Sequence, residues 1–291
     1  MTALRLALAQ YRVGRPRAVA DFATRLDRLA AEAASGGAGL LLLPEYAAME
    51  VAAALTDSAD PHTELEAVVA HAPALLEGMR TVARRHGIWL QPGTLPWRDA
   101  AGTRNRAPLI GPDGRLAFQD KRVMTRFESE AWGVDPGDMP AVFDTPWGRI
   151  GIAICYDVEF PPLVRAQVAA GAWLILTPSC TDTQHGFNRV RLSARARAVE
   201  NQCFVAVAPT VGDAPWSATL DANHGRAGVY GPVDRGFPED GIIAEGPPDE
   251  AAMIFAELDP ALLSAVRTDG AVRNHRDWPA EPPPCPVRNP S

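Results

Sequence analysis

Apolar residues near the start of the chain pass from an alternating pattern to a helical one and then to a continuous run. A leucine stands at every second position from 4 to 8, which is typical of a β-strand. Apolar residues from 19 to 33 fall at helical spacing, and two glycines end that helix. Residues 40–43 are all leucine and stop at a Pro-Glu pair, which predicts a buried strand followed by Glu45. This β-α-β start indicates a sheet covered by helices.

The middle of the chain carries two hairpin patterns. Residues 105–118 hold two apolar stretches around a Gly-Pro-Asp-Gly turn, and Lys121 follows them. A second hairpin, from 142 to 154, ends in a short β-branched run at Cys155. Prolines at 161 and 162 suit the first turn of a helix. We therefore predict that Cys155 lies on a strand-to-helix turn.

The rest of the chain continues the alternation of helices and strands. Such patterns run from 162 to 208, and a last clear strand is predicted for 252–258. No change in composition marks a linker, so we predict one mixed α/β domain over residues 1–278. Residues 279–291 are rich in proline, which predicts a tail without regular structure.

Composition excludes several classes of protein. The net charge is −7 and no long basic run occurs, which argues against nucleic acid or an anionic membrane as a partner. The apolar stretch in the first ten residues is too short for a signal peptide, and no run is long enough to span a bilayer. These features predict a cytoplasmic protein that acts on a small molecule.

The cysteines point to thiol chemistry and away from metal. They stand at 155, 180, 203 and 285 with no CxxC pairing, so neither a zinc site nor a disulfide framework is indicated. A thiol at position 155 would face the positive end of the next helix, and this field favours the nucleophilic thiolate. The alternative is that Cys155 is a buried residue that acts as a small hydrophobe.

Three predicted strand ends each carry a reactive group. Glu45 follows the second strand, Lys121 follows the first hairpin, and Cys155 follows the second. Because functional groups gather at one edge of an α/β sheet, we expect these three to meet. Glu45 would accept the thiol proton and later activate water, and Lys121 would stabilise an oxyanion together with the backbone N–H after Cys155. Taken alone, Glu45 and Lys121 could each be an ordinary surface residue.

The segments around these residues resemble those of a known family. Leu-Leu-Leu-Pro-Glu at 41–45, Asp-Lys at 120–121 and Gly-Ile-Ala-Ile-Cys-Tyr-Asp at 151–157 are similar to signatures of the nitrilase superfamily, the carbon–nitrogen hydrolases. They occur in the family's order and at similar spacing, and the similarity extends from residue 7 to about residue 259. The segment after the cysteine looks closer to the amidase and carbamoylase branches.

The resemblance implies a fold and a set of roles. It implies a four-layer α-β-β-α sandwich, a triad of Glu45, Lys121 and Cys155, no metal and no organic cofactor. It also implies that subunits pair into a homodimer or a larger homo-oligomer. Cys155 would attack the carbonyl carbon of a small linear amide, and Glu45 would then activate water to release an acid from the thioester after ammonia has left.

Many members carry a second glutamate between the lysine and the cysteine. Two candidates stand here, and the spacing to a following Pro-Gly-Asp turn favours Glu130 over Glu128. Four further residues are expected to line the substrate pocket, although each could equally be plain packing. They are Trp132, Tyr156, Cys180 and Thr181.

Other activities stay open from the sequence. An N-carbamoyl amino acid hydrolase would need a cation for the substrate carboxylate, and Arg126, Arg189 or Arg191 could serve. A nitrilase would be expected to carry tryptophan after the cysteine, where this chain has tyrosine. A catalytically idle member that binds a metabolite would not require the triad. A papain-like pairing of Cys180 with His185, or of Cys155 with His224, would leave Glu45 and Lys121 without a role.

Overall fold

The computed structural model describes residues 2–58 and 60–279. Apart from its first residue, the predicted proline-rich tail at 279–291 lies outside the described residues. The strands of the described part are β1 (Leu4–Arg12), β2 (Leu40–Leu42), β3 (Trp89–Gln91), β4 (Leu95–Asp99), β5 (Gly102–Ile110), β6 (Leu116–Asp120), β7 (Val142–Thr145), β8 (Gly148–Ile152), β9 (Leu174–Ser179), β10 (Phe204–Val211), β11 (Gly228–Tyr230), β12 (Ile242–Glu245) and β13 (Ala252–Leu258). The α-helices are α1 (Val19–Ser35), α2 (Ala52–Leu55), α3 (Pro61–His86), α4 (Pro161–Ala169), α5 (Gln184–Asn201), α6 (Pro260–Asp269) and α7 (Asn274–Asp277).

The strands form two sheets that are joined at one point. The path runs β4-β5-β3-β2-β1-β10-β9-β8-β7, with β6 beside β5, β13 beside β1, and β11 and β12 beyond β10. Strand β1 pairs with β10 only through its last two residues, Tyr11 opposite Thr210 and Arg12 opposite Val211. Because the pairing is confined to the strand ends, the two halves diverge and can stack face to face.

Alternate residues of the first sheet face different layers. Leu6 and Leu8 of β1 share a core with Leu176 and Phe204 of the second sheet. Their neighbour Ala7 packs on the other side, in the core that contains the buried faces of α1 and α3. Helices α4 and α5 cover the second sheet. The predicted four-layer α-β-β-α sandwich is therefore confirmed, with the period of two along β1 separating its layers.

Two local features shape the surroundings of the site. Helix α3 runs through Pro73 without interruption, since its buried face continues on both sides with Val68, Ala72 and Leu76. The stretch from 124 to 138 contains a single π-helical turn at Glu128–Trp132. That turn decides which acidic side chain enters the site. Among the described residues, no helix has both the length and the apolar character needed to cross a membrane.

Candidate active site

The three predicted reactive groups meet in one cavity. Glu45 follows β2, Lys121 directly follows β6, and Cys155 lies three residues beyond β8. All three line a cavity of about 600 Å³. They are nonetheless almost inaccessible, with exposed fractions of 2% for Glu45, 1% for Lys121 and 4% for Cys155. Any charge they carry is therefore largely removed from water, which strengthens their mutual interactions.

Lys121 lies between two carboxylates. Its Nζ donates to Oε1 of Glu45 at 2.8 Å and to Oε2 of Glu128 at 2.6 Å. Burial works against the charged ammonium, but the charges of Glu128 and Glu45 outweigh it and hold the pKa of Lys121 well above its usual value. Lys121 is therefore a permanent cation in this site.

Glu128, and not Glu130, contacts Lys121. Glu130 is 61% exposed and forms an ion pair with Arg126, whose Nε lies 2.9 Å from Glu130 Oε1. The two glutamates stand two positions apart on a helical turn, and side chains with that spacing do not share a face. The expectation that Glu130 would be the second glutamate of the site is corrected on this ground.

The Glu128 carboxylate is held by four other donors. Tyr46 Oη donates to its Oε1 at 2.7 Å, and Asn105 Nδ2 donates to the same oxygen at 2.9 Å. The backbone N–H and the hydroxyl of Thr125 donate to Oε2, each at 2.9 Å. Burial raises the pKa of Glu128, but Lys121 and these hydrogen bonds outweigh it and leave the pKa below its usual value. Glu128 is thus a fixed anion that locates the Lys121 ammonium.

Glu45 is placed to exchange a proton with the thiol. Its Oε1 accepts from Lys121 and from Asn105 Nδ2, the latter at 2.8 Å, and its Oε2 accepts from the Cys180 N–H at 3.1 Å. Burial raises the pKa of Glu45, although Lys121 and a hydrogen bond with the Cys155 thiol act in the opposite direction. A carboxylate with a raised pKa is a stronger base than an exposed one.

Cys155 occupies a strained turn, and its thiol is buried. It starts a 3-10 helix at Cys155–Glu159 with a φ of 45°, an unusual value for a residue other than glycine. Its Sγ accepts from the Ser179 hydroxyl at 3.4 Å and lies 3.6 Å from the Cys180 carbonyl oxygen. Burial, followed by the negative charge of Glu45, raises the pKa of the thiol well above its usual value. This direction is opposite to the one expected from the sequence, because burial disfavours the charged thiolate.

The other predicted pocket residues divide into two groups. Trp132, Tyr156 and Cys180 line the cavity. Thr181 does not line it, because its hydroxyl is turned to the carbonyl of His224, to which it donates at 2.7 Å. The expectation that Thr181 contacts substrate is corrected accordingly, since the residue instead fastens the loop that ends at His224.

Several residues of the site were missed in the sequence. Asn105 donates through one amide group to both Glu45 and Glu128. Asp157 accepts from the backbone N–H groups of Arg122 and Val123 and so connects the lysine segment to the cysteine turn. Burial raises the pKa of Asp157 to about 6. Proximity to the cysteine was an available signal for Asp157, whereas Asn105 stands between two arginines on β5 and gave none.

A family model confirms the resemblance. The model described as "Carbon-nitrogen hydrolase" matches residues 5–268. The chain belongs to this family and is a hydrolase that acts on carbon–nitrogen bonds other than peptide bonds. Within the part of the chain described by the structure, no group of three or more His, Cys, Asp or Glu side chains is arranged to hold a metal ion.

Curated relatives and solved structures agree with this assignment. The chain is 31% identical to the ω-amidase NIT2 of Mus musculus over 92% of each chain. It is 29% identical to the probable hydrolase YhcX of Bacillus subtilis over 94% of this chain, which spans only 53% of that longer protein. The crystal structure of an amidase from Nesterenkonia sp. superposes with a TM-score of 0.71 at 28% identity, covering 94% of this chain and 96% of the other.

Proposed function

We propose that this chain is a thiol amidase, which hydrolyses a small linear amide to an acid and ammonia. The observation that supports it best is the buried Lys121 ammonium, held by Glu45 and Glu128 beside the Cys155 thiol in one cavity. This arrangement provides a nucleophile, a base and a cation within a single pocket, which is what acyl transfer requires.

In the first half of the reaction, Cys155 Sγ attacks the carbonyl carbon of the amide. Glu45 takes the thiol proton as the carbon–sulfur bond forms, so that no free thiolate has to accumulate in a site where burial opposes it. Glu45 then gives the proton to the leaving nitrogen as the carbon–nitrogen bond breaks. Ammonia departs and the acyl group remains on sulfur as a thioester.

Lys121 has one donor left for the oxyanion. An ammonium group carries three N–H bonds, and two of them are directed to Glu45 and Glu128. The third is available to the oxygen that becomes negative in the tetrahedral intermediate. The Tyr156 N–H, in the first turn of the 3-10 helix, is the second donor of this proposal, because the first amides of a helix have no carbonyl partner within it.

In the second half, water replaces the departed ammonia. Glu45 accepts a proton from this water, whose oxygen attacks the thioester carbon. The second tetrahedral intermediate is stabilised by the same donors and collapses with cleavage of the carbon–sulfur bond. Glu45 returns its proton to sulfur, the acid leaves, and the site regains its starting protonation state.

The compared proteins support a primary amide as the substrate. The NIT2 relatives are ω-amidases. Crystal structures of a glutamate-to-glutamine mutant of the Nesterenkonia amidase show the Michael adduct of acrylamide at the active-site cysteine and, in another case, the acetamide moiety of fluoroacetamide there. Both molecules are small linear amides, which is the class that we propose for this chain.

An N-carbamoyl amino acid hydrolase is the second candidate. Among the three arginines considered for the substrate carboxylate, Arg189 lines the cavity and is 61% exposed, with only a long contact of 3.6 Å to Glu159. Arg126 also lines the cavity but is paired with Glu130, and Arg191 is bound to Glu245 outside it. Arg189 is the observation that keeps this candidate in view.

Ammonia release from a substrate panel tests the proposal. The panel contains short aliphatic amides, ω-amides of dicarboxylic acids, N-carbamoyl amino acids and nitriles. We expect release from at least one amide, and its complete loss in Cys155→Ala. Cys203→Ala is the matched control, because Cys203 is also a buried thiol but lies outside the cavity. Preference for an N-carbamoyl substrate that disappears in Arg189→Gln would favour the second candidate.

The cellular location and the assembly of the chain are also proposals. We infer a cytoplasmic enzyme, which agrees with the unpaired state of the three described cysteines. We also infer a homodimer or a larger homo-oligomer, and light scattering of the purified chain measures this directly. Neither inference changes the chemistry assigned to the cavity.

A further inference from the structure

We propose that Glu64, on the first turn of α3, is a positioning residue that sets the size selectivity of the cavity. The proposal rests on the function proposed above and concerns the wall that receives the acyl part of the substrate. Glu64 does not line the cavity itself. It acts through a loop that does, so its effect should depend on how far a substrate extends from Cys155.

Glu64 fastens this loop with a buried carboxylate. Its Oε2 accepts from the Ser217 hydroxyl at 2.9 Å and from the Thr219 hydroxyl at 2.6 Å, and its Oε1 accepts from the Ala218 N–H at 2.9 Å. These three donors are neutral and come from consecutive residues. The position of Glu64 in the first turn of a helix also favours a negative charge. A single side chain thus fixes both the backbone and the side chains of the segment.

The fastened segment is part of the cavity wall. Ala218 and Thr219 line the cavity, and so do Asp221 and Ala222 a little further along. The Ser217 hydroxyl accepts in turn from the N–H groups of Thr219 and Leu220, which extends the anchoring along the loop. The position of this wall therefore depends on the contact with Glu64.

A second piece of the wall is attached to the same helical turn. Trp132 lines the cavity, and its Nε1 donates to the carbonyl of Pro61 at 2.9 Å. The turn itself is well capped, since Asp60 accepts from the Thr63 N–H at 2.8 Å and Pro61 occupies the first helical position. The start of α3 therefore supports two separate wall segments, one through Pro61 and one through Glu64.

Loss of the carboxylate should release one segment and leave the reactive groups in place. Without it, the Ala218 N–H loses its acceptor, and only one of the Ser217 and Thr219 hydroxyls, which lie 3.0 Å apart, can donate to the other. The remaining donors need other acceptors, so we expect the loop to shift. The hydrogen bonds of Lys121 and Cys155 described for the active site do not involve this loop. We therefore expect a change in the binding of long substrates with little change in the chemistry.

The test is a series of unbranched primary amides, from acetamide to hexanamide, with wild type, Glu64→Ala and Glu64→Gln. For the longest amide that wild type accepts, we expect kcat/KM to fall by about tenfold or more in Glu64→Ala, mainly through KM. Acetamide should stay within about threefold, because we expect only longer acyl chains to reach this wall. Glu64→Gln keeps one carbonyl acceptor, so its kcat/KM for the longest amide should lie between those of wild type and Glu64→Ala.

Glu66→Gln is the matched control. It removes a carboxylate from the same helix, but the Glu66 side chain is 40% exposed and is paired with Arg98 outside the cavity. An equal loss of kcat/KM for all amides in Glu64→Ala, or no loss for any, would overturn the proposal. A selective loss of kcat/KM for long amides in Glu66→Gln would also overturn the proposal, since any change in α3 would then be enough to alter the size selectivity.

A second readout does not need turnover. Alkylation at Cys155, followed by peptide mass mapping, is compared for iodoacetamide and for N-hexyl iodoacetamide. We expect Glu64→Ala to change the ratio of these two rates by about tenfold while the iodoacetamide rate stays near that of wild type. An unchanged ratio contradicts the proposal. If wild type hydrolyses no amide, the proposed function fails, and this ratio still decides the role of Glu64.

Discussion

Asn105 offers the sharpest test of how the site is held together. Its Nδ2 donates to Glu45 Oε1 at 2.8 Å and to Glu128 Oε1 at 2.9 Å, so one amide group bridges two buried carboxylates. Its Oδ1 has no hydrogen-bond partner among the described residues. The orientation of the amide is therefore set by the two carboxylates, because the reversed group would direct its oxygen at both.

The replacement Asn105→Leu keeps the approximate volume and removes both hydrogen bonds. Hydrogen bonds to charged acceptors contribute about 1.5–3 kcal/mol each, so their joint loss should cost about 3 kcal/mol at the lower end. If this stabilisation keeps Glu45 ionised and in place, kcat/KM falls roughly 100-fold, since about 1.4 kcal/mol corresponds to a factor of ten. Unfolding in urea should show a comparable loss of stability.

The pH dependence separates this role from plain destabilisation. The Asn105 bonds favour the ionised form of Glu45, whose pKa burial already raises. Without them the pKa of Glu45 rises further, and the acid limb of the kcat/KM profile moves to higher pH. Asn105→Asp should have a still lower kcat/KM than Asn105→Leu at neutral pH, because it adds a third carboxylate around Lys121. The exposed Asn188→Leu on α5 is the control.

Two results together would refute the role of Asn105 in keeping Glu45 ionised. These are a kcat/KM for Asn105→Leu within threefold of wild type and an unchanged acid limb. A loss of activity with an unmoved limb would assign Asn105 to packing alone.

Three further changes probe the charges around the thiol. Glu128→Gln should lower kcat/KM by roughly 100-fold, since Lys121 loses its closest carboxylate. Glu130→Gln, at an exposed position, should leave kcat/KM within twofold of wild type. Steady-state kinetics of both variants measures this difference. Glu45→Gln removes the charge that, after burial, raises the pKa of Cys155, so thiol alkylation at pH 8 should become faster while hydrolysis falls by roughly 10²–10⁴-fold. Ser179→Ala removes a hydrogen bond that lowers that pKa, and alkylation at fixed pH should slow by roughly threefold to tenfold.

Local sequence patterns predicted that three reactive groups would meet, because each stands at or shortly after the end of a recognisable strand or hairpin. Glu45 ends a continuous leucine run, and Lys121 and Cys155 each follow a hairpin. The sheet then brings these strand ends together, as expected for an α/β fold. The four-layer sandwich was implied by the family resemblance, whereas the alternation along residues 4–8 predicted only a strand.

Features that depend on the direction of a side chain, or on contacts between residues distant in sequence, could not be predicted from local patterns. The choice between Glu128 and Glu130 depends on a π-helical turn, which changes the direction of each side chain relative to an α-helix. Asn105 bridges two carboxylates that lie far from it in sequence, so nothing near it announces the contact. The protonation of Cys155 follows from burial, which no short motif reveals.

Cys155 should carry the acyl group of the substrate as a thioester during turnover. Rapid acid quench of the working enzyme with its best amide, followed by intact-mass and peptide mass analysis, tests this directly. We predict a mass increase equal to the acyl group on the peptide that contains Cys155, and its absence in Cys155→Ala. Ammonia release that continues in Cys155→Ala, or an acyl group found on Cys180 instead, would contradict the account.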